Sequence, residues 1–579
     1  MRRIFSYFKP YLARMSVGLT IKFIGTIMDL LLPYVLAYTI DTIVPTKNTH
    51  RIVLFGGLMV VFAIVAVVTN IIANRMASRV ARDTTERIRH DLYDRISYLS
   101  CAQADGFSIP SLESRLTSDT YNLHQMFGMM QRLGVRAPIL LLGGILVTMT
   151  LEPMLSLILV AILPFVALIV YVVSKKSIPL YTALQQSVDK LTRTVRENTT
   201  GIRIIKALSQ TRYEKARFSE VSGEVVANEK AAAKTVALTS PLMNLLLNLA
   251  LVPVIVVGAY RVNAGLTQPG KIIAFLSYFT IILTAMLSIT RMFVIYNRSF
   301  ASALRIVKVL DAPEDLGISL ESAKPAKEPW HIAFENVTFS YHKREPSIEN
   351  IGFRLKRGET LGIIGATGSG KSTVLRLLMR LYDPDAGSIR IDGREINTYP
   401  LKELRSKFGV VFQDDILFAD SIAENISFGR GLSKDDIERA VETAQAKEFV
   451  DSLPKRLDHA LSIKSANLSG GQKQRLLIAR AVAKKPEILI LDDSSSALDY
   501  KTDALLRKAL REELSHSTKI IVAQRVSSIR HAERILVLED GKEAGYGTHE
   551  ELMETCVSYR EISISQMGGY AVGRTEQRA

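Results

Sequence analysis

The sequence predicts two architectures in one chain: a six-helix, all-α membrane domain followed by an α/β domain with a parallel sheet. Two observations carry this. Six mostly apolar stretches crowd into the first 300 residues, and from residue 331 short β-branched runs alternate with helical ones. The totals agree with it. Over 579 residues, 73 Lys+Arg against 57 Asp+Glu leave a net charge of +16. A mean hydropathy of +0.16 is high for a chain with 22% charged residues. Such a composition excludes a disordered chain and argues against an ordinary soluble enzyme. Cys101 and Cys556 stand far apart, which excludes a disulfide framework.

The apolar stretches lie near 16–40, 52–74, 137–150, 155–174, 237–260 and 272–296. Most approach the roughly 20 residues that cross a bilayer. The third is short and can lengthen backwards through Met126–Val135. Buried helices of a soluble core rarely stay apolar on every face, so spanning helices are the better reading. Basic residues orient them. Arg75, Arg79, Arg82, Arg87, Arg89 and Arg95 follow the second stretch, and Lys175, Lys176, Lys190, Arg193 and Arg196 follow the fourth. The opposite loops at 41–51, 151–154 and 261–271 are short and nearly uncharged. The long basic segments and both termini are therefore expected in the cytoplasm. Met1–Arg14 reads as an interfacial elbow helix rather than a signal peptide.

Both basic segments are nearly free of Pro and Gly. As helical hairpins with arms of about 25 residues they would project ~35–40 Å from the bilayer. Their turns are expected at Asp105–Pro110 and Thr200–Gly201. Charge spread over such arms, without interleaved aromatics, argues against nucleic acid as a partner.

The expected boundaries are 1–315 for the membrane domain, 316–330 for a polar linker, 331–566 for the α/β domain and 567–579 for a flexible tail. Strands are expected at Ile332–Phe339, Thr360–Ile364, Gly409–Phe412, Ile488–Leu491, Lys519–Val522 and Ile535–Leu538.

Chemistry gathers in that second domain. Gly365-Ala-Thr367-Gly368-Ser369-Gly370-Lys371-Ser372 follows an apolar strand and opens a helix, as a phosphate-binding loop must. Its backbone amides and the helix N-terminus, with Thr373, would cradle the phosphates of ATP. Lys371 would bridge the β- and γ-phosphates, and Ser372 would hold Mg²⁺. Ile488-Leu-Ile-Leu-Asp492 is a buried strand ending in a carboxylate that can orient the same ion.

Leu468-Ser469-Gly470-Gly471-Gln472 resembles the signature of ATP-binding-cassette (ABC) proteins. With it, Tyr341 resembles the aromatic that stacks on adenine, and Gln413 the glutamine that senses Mg²⁺ and the membrane helices. Ser496-Ala-Leu-Asp499 resembles the loop that crosses the dimer seam. The resemblance covers nearly the whole chain and implies a half-size exporter of the multidrug type. It would be multi-pass in the plasma or inner membrane, with the nucleotide-binding domain cytoplasmic. Two chains would sandwich two ATP molecules, each between one chain's phosphate loop and the other's signature.

Three departures narrow that picture. Asp493 stands where the family usually has a glutamate as general base, and Gln524 where it has histidine. The shorter carboxylate retreats by about 1 Å, a misplacement that can cost ~10²-fold. A carboxamide cannot become cationic or relay a proton. Both point to a degenerate site that hydrolyses ATP slowly or not at all. The intact signature would then complete a partner's catalytic site in a heterodimer; a homodimer with two slow sites is the alternative. The third departure is Ser462–Asn467, where relatives carry a Glu- and Gly-rich stretch. Outward export of amphipathic or hydrophobic compounds is the implied task, with lipid, peptide or siderophore export as alternatives.

Within the spans, Asp29 and Arg291 are candidates for a cavity lining or for interhelical pairing, with Asn70, Asn244 and Asn248 as weaker cases. Phe275, Tyr278, Phe279, Met286, Met292 and Phe293 could form an adaptable apolar surface or simply pack.

Overall fold

A computed structural model describes residues 1–318, 329–341, 345–462, 467–494 and 497–567. Most of the expected linker, residues 463–466 before the signature, Ser496 and nearly all of the tail lie outside them. The chain forms two compact units. One comprises Met1–Ser97 and Pro110–Asp311, the other Tyr98–Ile109 and Ala312–Ala579.

In the first unit, six helical segments are long and apolar enough to cross a membrane. The spans run through Leu12–Tyr38, Thr49–Ser97, Thr120–Leu151, Pro153–Thr200, Thr239–Asn263 and Pro269–Leu310. Two open with Pro, whose fixed φ suits a first helical turn and whose missing N–H would be an orphan there. The last is also capped from afar: Asp41 accepts from the backbone N–H of Gly270 at 2.6 Å and of Lys271 at 2.9 Å. That anion satisfies orphan donors at the positive end of the helix dipole. Gly143 and Gly144 let the third span close on the first and sixth. A Cβ at Gly143 would lie 2.7 Å from Leu30 Cδ1, and one at Gly144 2.8 Å from Ile282 Cγ1.

Polar groups in these spans mostly pair. Asp29 meets Arg136 across the first and third spans at 3.0 Å, with the Asn70 amide 3.5 Å away. Of the two readings of Asp29, interhelical pairing is the one seen. Phe275, Tyr278 and Phe279 are buried, so the expected apolar surface is largely internal packing. Phe275 and Phe279 join Leu155, Leu159 and Val254 in one cluster, while the Tyr278 hydroxyl donates to the Leu30 carbonyl. Phe293 and Arg291 remain exposed. The N-terminal segment forms a helix at Arg2–Ser6, and Phe8 sets its ring edge-on to Phe127 of the third span at 4.7 Å.

Among the described residues, the second unit holds ten strands in two sheets. They are β1 (Ile332–Phe339), β2 (Ile348–Leu355), β3 (Thr360–Gly365), β4 (Ala386–Ile391), β5 (Arg394–Glu395), β6 (Phe408–Val411), β7 (Ile488–Asp492), β8 (Thr518–Val522), β9 (Arg534–Glu539) and β10 (Lys542–Gly547). The larger sheet has the order β10-β9-β3-β8-β7-β6, parallel from β9 to β6. Its central strands are near-continuous apolar runs because both faces are covered, and β7 is buried at every position. The smaller sheet, β2-β1-β4-β5, is antiparallel and stands beside the parallel sheet that the sequence predicts. β2, β4 and β5 escape a search for apolar runs because polar residues interrupt them. Phe334 and Phe353 stack across its register at 4.4 Å. Fully burying such side chains contributes about 1.5–3 kcal/mol each.

Tyr98–Ile109 is separated from the rest of this unit by some 200 residues of sequence. Ser100 caps a helix at Cys101–Phe107 through a capping box with Gln103. The chain then turns at Ser108, whose φ is +63°. Asp105 accepts from the Tyr382 hydroxyl at 2.5 Å, and the Asp315 N–H donates to Tyr98 O at 2.8 Å. In the first unit, the second expected hairpin turn carries a short helix at Ile202–Ala207 in which no residue is buried.

Candidate functional site

Parallel sheets present their ligand-binding loops at the carboxyl ends of the strands, and the site forms there. β3 delivers the glycine-rich loop. Gly365 has no room for a side chain, since a Cβ would lie 2.1 Å from Leu538 O. Gly370 combines a φ of +95° with a Cβ position 2.5 Å from Ile348 Cγ2, so both conformation and space require glycine. The helix Lys371–Leu378 starts directly after it, with its first backbone donors directed at the loop. Ser369 Oγ is buried without a hydrogen-bond partner.

A cavity of about 410 Å³ opens over this loop. Tyr341, Thr367, Gly368, Gly370, Lys371, Ser372, Thr373, Gln413, Asp492, Asp493 and Gln524 all line it. The Lys371 ammonium folds onto Gly365 O at 2.9 Å and Ala366 O at 2.6 Å. Ser372 Oγ donates to Asp492 Oδ2 at 2.9 Å. Burial pushes Lys371 below the usual lysine range, against the pull of Asp492 and Asp493. It pushes the Asp492 carboxyl up, offset by the Ser372 hydrogen bond. A polyphosphate anion in the cavity would push Lys371 back up by favouring its charged form. The orphaned serine, the glycine-lined cradle and the Ser–Asp pair fit a nucleoside triphosphate with a hard divalent cation.

The adjacent wall is built differently. Asp493 directly follows β7 but takes a φ of +48°, in the left-handed region that Asp tolerates better than most residues. Burial raises its carboxyl, while Arg525, Lys371 and Gln524 act against that. Gln524 Nε2 donates to Asp493 Oδ2 at 3.0 Å, and Gln474 holds the Asp493 carbonyl at 3.1 Å. The two positions that depart from the expected pattern are thus bonded to each other.

Ser469–Gln472 does not line the cavity. Ser469 caps the helix Gly470–Val482, and the Gln472 side chain accepts from the Ser469 N–H at 2.9 Å, completing a capping box. The Gln472 carboxamide is thereby engaged in the cap.

Sequence reasoning missed several neighbours. Ser347, Asp540 and Gly541 also line the cavity, and the Asp-Gly turn between β9 and β10 was the legible sign of them. Arg376 donates to the Tyr341 hydroxyl at 3.0 Å. Tyr341 sets its ring edge-on to Tyr382 at 5.2 Å, and Tyr382 in turn holds Asp105. Elsewhere, His331, Asp392 and Glu487 gather closely enough for a metal, but Arg357 and Lys407 already neutralise the two carboxylates.

Comparison with known proteins agrees with this geometry. Residues 15–286 match the ABC transporter transmembrane region, and residues 348–496 match the ABC transporter domain. An uncharacterized ABC transporter ATP-binding protein of Bacillus subtilis, YfiB, is 33% identical over 98% of this chain and 99% of its own. The ATP-dependent lipid A-core flippase of Idiomarina loihiensis is 30% identical over 98% of each. Among solved structures, a bacterial Atm1-family ABC exporter with ATP bound superposes with a TM-score of 0.84 at 23% identity. It covers 97% of this chain and all of its own, a likeness of fold. With both halves matched in order and the alignments nearly end to end, the chain belongs to the ABC transporter family.

Proposed function

We propose that this chain is the ATP-binding and permease subunit of an exporter in the cell membrane, moving amphipathic or hydrophobic compounds outward. Its own nucleotide site is slow, and its signature completes the fast site of a second, different half-transporter. Tyr341 offers the adenine a stacking face, Lys371 and the loop amides hold the phosphates, and Ser372, Asp492 and Gln413 hold Mg²⁺. When bound, that ion screens the phosphate charge against the attacking water.

The observation that carries the slow-site reading is the Gln524–Asp493 hydrogen bond at 3.0 Å. A carboxylate occupied by that donor is less available to take a proton from water, and the carboxamide cannot shuttle one. Ser469 supports the second half of the reading: it stays out of this chain's cavity, with its backbone at a helix N-terminus suited to a phosphate. The kinship to a relative named as a lipid A-core flippase favours a lipid-like cargo over a peptide.

The test compares ATP hydrolysis by the purified chain alone and co-purified with its partner. Turnover should be slow alone and rapid in the complex, and Ser469→Arg should abolish most of it. Rapid hydrolysis by this chain alone overturns the slow site, and unchanged turnover with Ser469→Arg overturns the cross-chain role.

A further inference from the structure

Four basic residues and one acid lie within the six apolar stretches: Lys22, Arg132, Arg136 and Arg291 against Asp29. All fall in one zone. Asp29 bridges to Arg136, and Lys22 lies within electrostatic range of Arg132, Arg136 and Asp29. Gly134, midway between the two arginines of the third span, packs against the sulfur of Met292, which places neighbouring Arg291 at the same level of the sixth span.

Positive charge near the ends of spans is commonly explained by side chains reaching back to the water. Arg291 is exposed, but Lys22 is only 3% exposed and turns sideways to Asn74 Oδ1 at 3.0 Å, a neutral acceptor. Arg136 pairs with Asp29, and its Nε is buried with no hydrogen-bond partner. One carboxylate cannot balance four cations, and uncompensated charge within a span costs several kcal/mol. A counter-charge from outside this chain's own spans would offset that cost.

We propose that the cargo is an amphipathic anion whose phosphate or carboxylate headgroup supplies that counter-charge, its apolar tail lying among the spans. This rests on the export reading above and narrows it to one class of substrate. Arg132 and Arg291 meet the headgroup, while Lys22 and the Asp29–Arg136 pair set the field that holds it.

The experiment uses the full chain in the assembly it forms on purification, in nanodiscs of zwitterionic phosphatidylcholine. The probes are radiolabelled myristoyl lysophosphatidic acid, myristoyl lysophosphatidylcholine and inorganic phosphate. The lysophosphatidic acid should bind at least about tenfold tighter than its choline counterpart, and Arg132→Gln should remove that preference. Lys22→Gln should weaken it, while Lys22→Arg should keep it. ATP binding at the cradle reports that each variant is folded, and the paired change Asp29→Asn with Arg136→Gln tests the zone without leaving a lone charge. Equal affinity for the two lysolipids, with ATP turnover still stimulated by either, overturns the anion and leaves export standing. Phosphate binding as tightly as lysophosphatidic acid overturns the amphipathic half. Turnover that no amphipath stimulates overturns the export reading itself, and this proposal with it.

Discussion

The two walls of the nucleotide cavity are built from adjacent strand ends yet obey different constraints. On the phosphate side, Lys371, Ser372 and Asp492 are held by β3 and β7 and by one another, with Asp492 only 4% exposed. On the other side, Asp493 leaves the strand with a left-handed backbone and bonds to exposed Gln524. The two carboxylates belong to consecutive residues, and the left-handed φ at Asp493 turns one into the sheet interior and the other to the cavity rim. On the proposed function, holding a nucleotide and attacking it are separable: the first would depend on buried strand ends, the second on rim side chains.

Several substitutions sharpen or break that separation. Ser469→Arg has the largest expected effect, a fall of about 10²–10³-fold in turnover of the assembled transporter, the scale of losing a preorganised donor at a developing anion. ATP binding at this chain's own cradle should stay within about twofold, and nucleotide titration of the purified variant checks that. Lys371→Ala should weaken ATP binding to this chain about 10²-fold by titration, because a desolvated charged contact is lost. If affinity survived, the phosphate wall would be misassigned. The pair Asp493→Glu with Gln524→His should raise single-turnover hydrolysis on this chain by about 10–10²-fold, with ATP affinity unchanged. An affinity change of the same size would show that the two walls are not independent. Tyr382→Phe is the mildest change. It removes the hydrogen bond to Asp105 and should lower stability by about 1 kcal/mol in a melt, leaving ATP affinity intact.

Much of the fold was legible because its signals are local. Six apolar stretches need no tertiary information to be recognised, and Gly365–Ser372 announces its own strand, loop and helix. The antiparallel sheet was not legible, since β2 and β4 alternate with polar residues and gain their partners across β1. The polarity of the spans was half legible: Asp29 and Arg291 stood out by residue type, whereas the partners of Lys22 and Arg136, Asn74 and Asp29, lie on neighbouring helices and are set by packing.

Residue type and spacing alone determined the kind of chemistry: a phosphate loop, a strand-end carboxylate, a signature helix, and an aspartate and a glutamine at two altered positions. Such features are short-range, so the chain states them wherever it folds. Tertiary structure alone decided which groups meet. It joined Gln524 to Asp493, carried Asp105 to Tyr382 across 277 positions, and kept Ser469 out of the cavity. Those pairings depend on how strands and helices stack, a long-range property that no window of sequence contains.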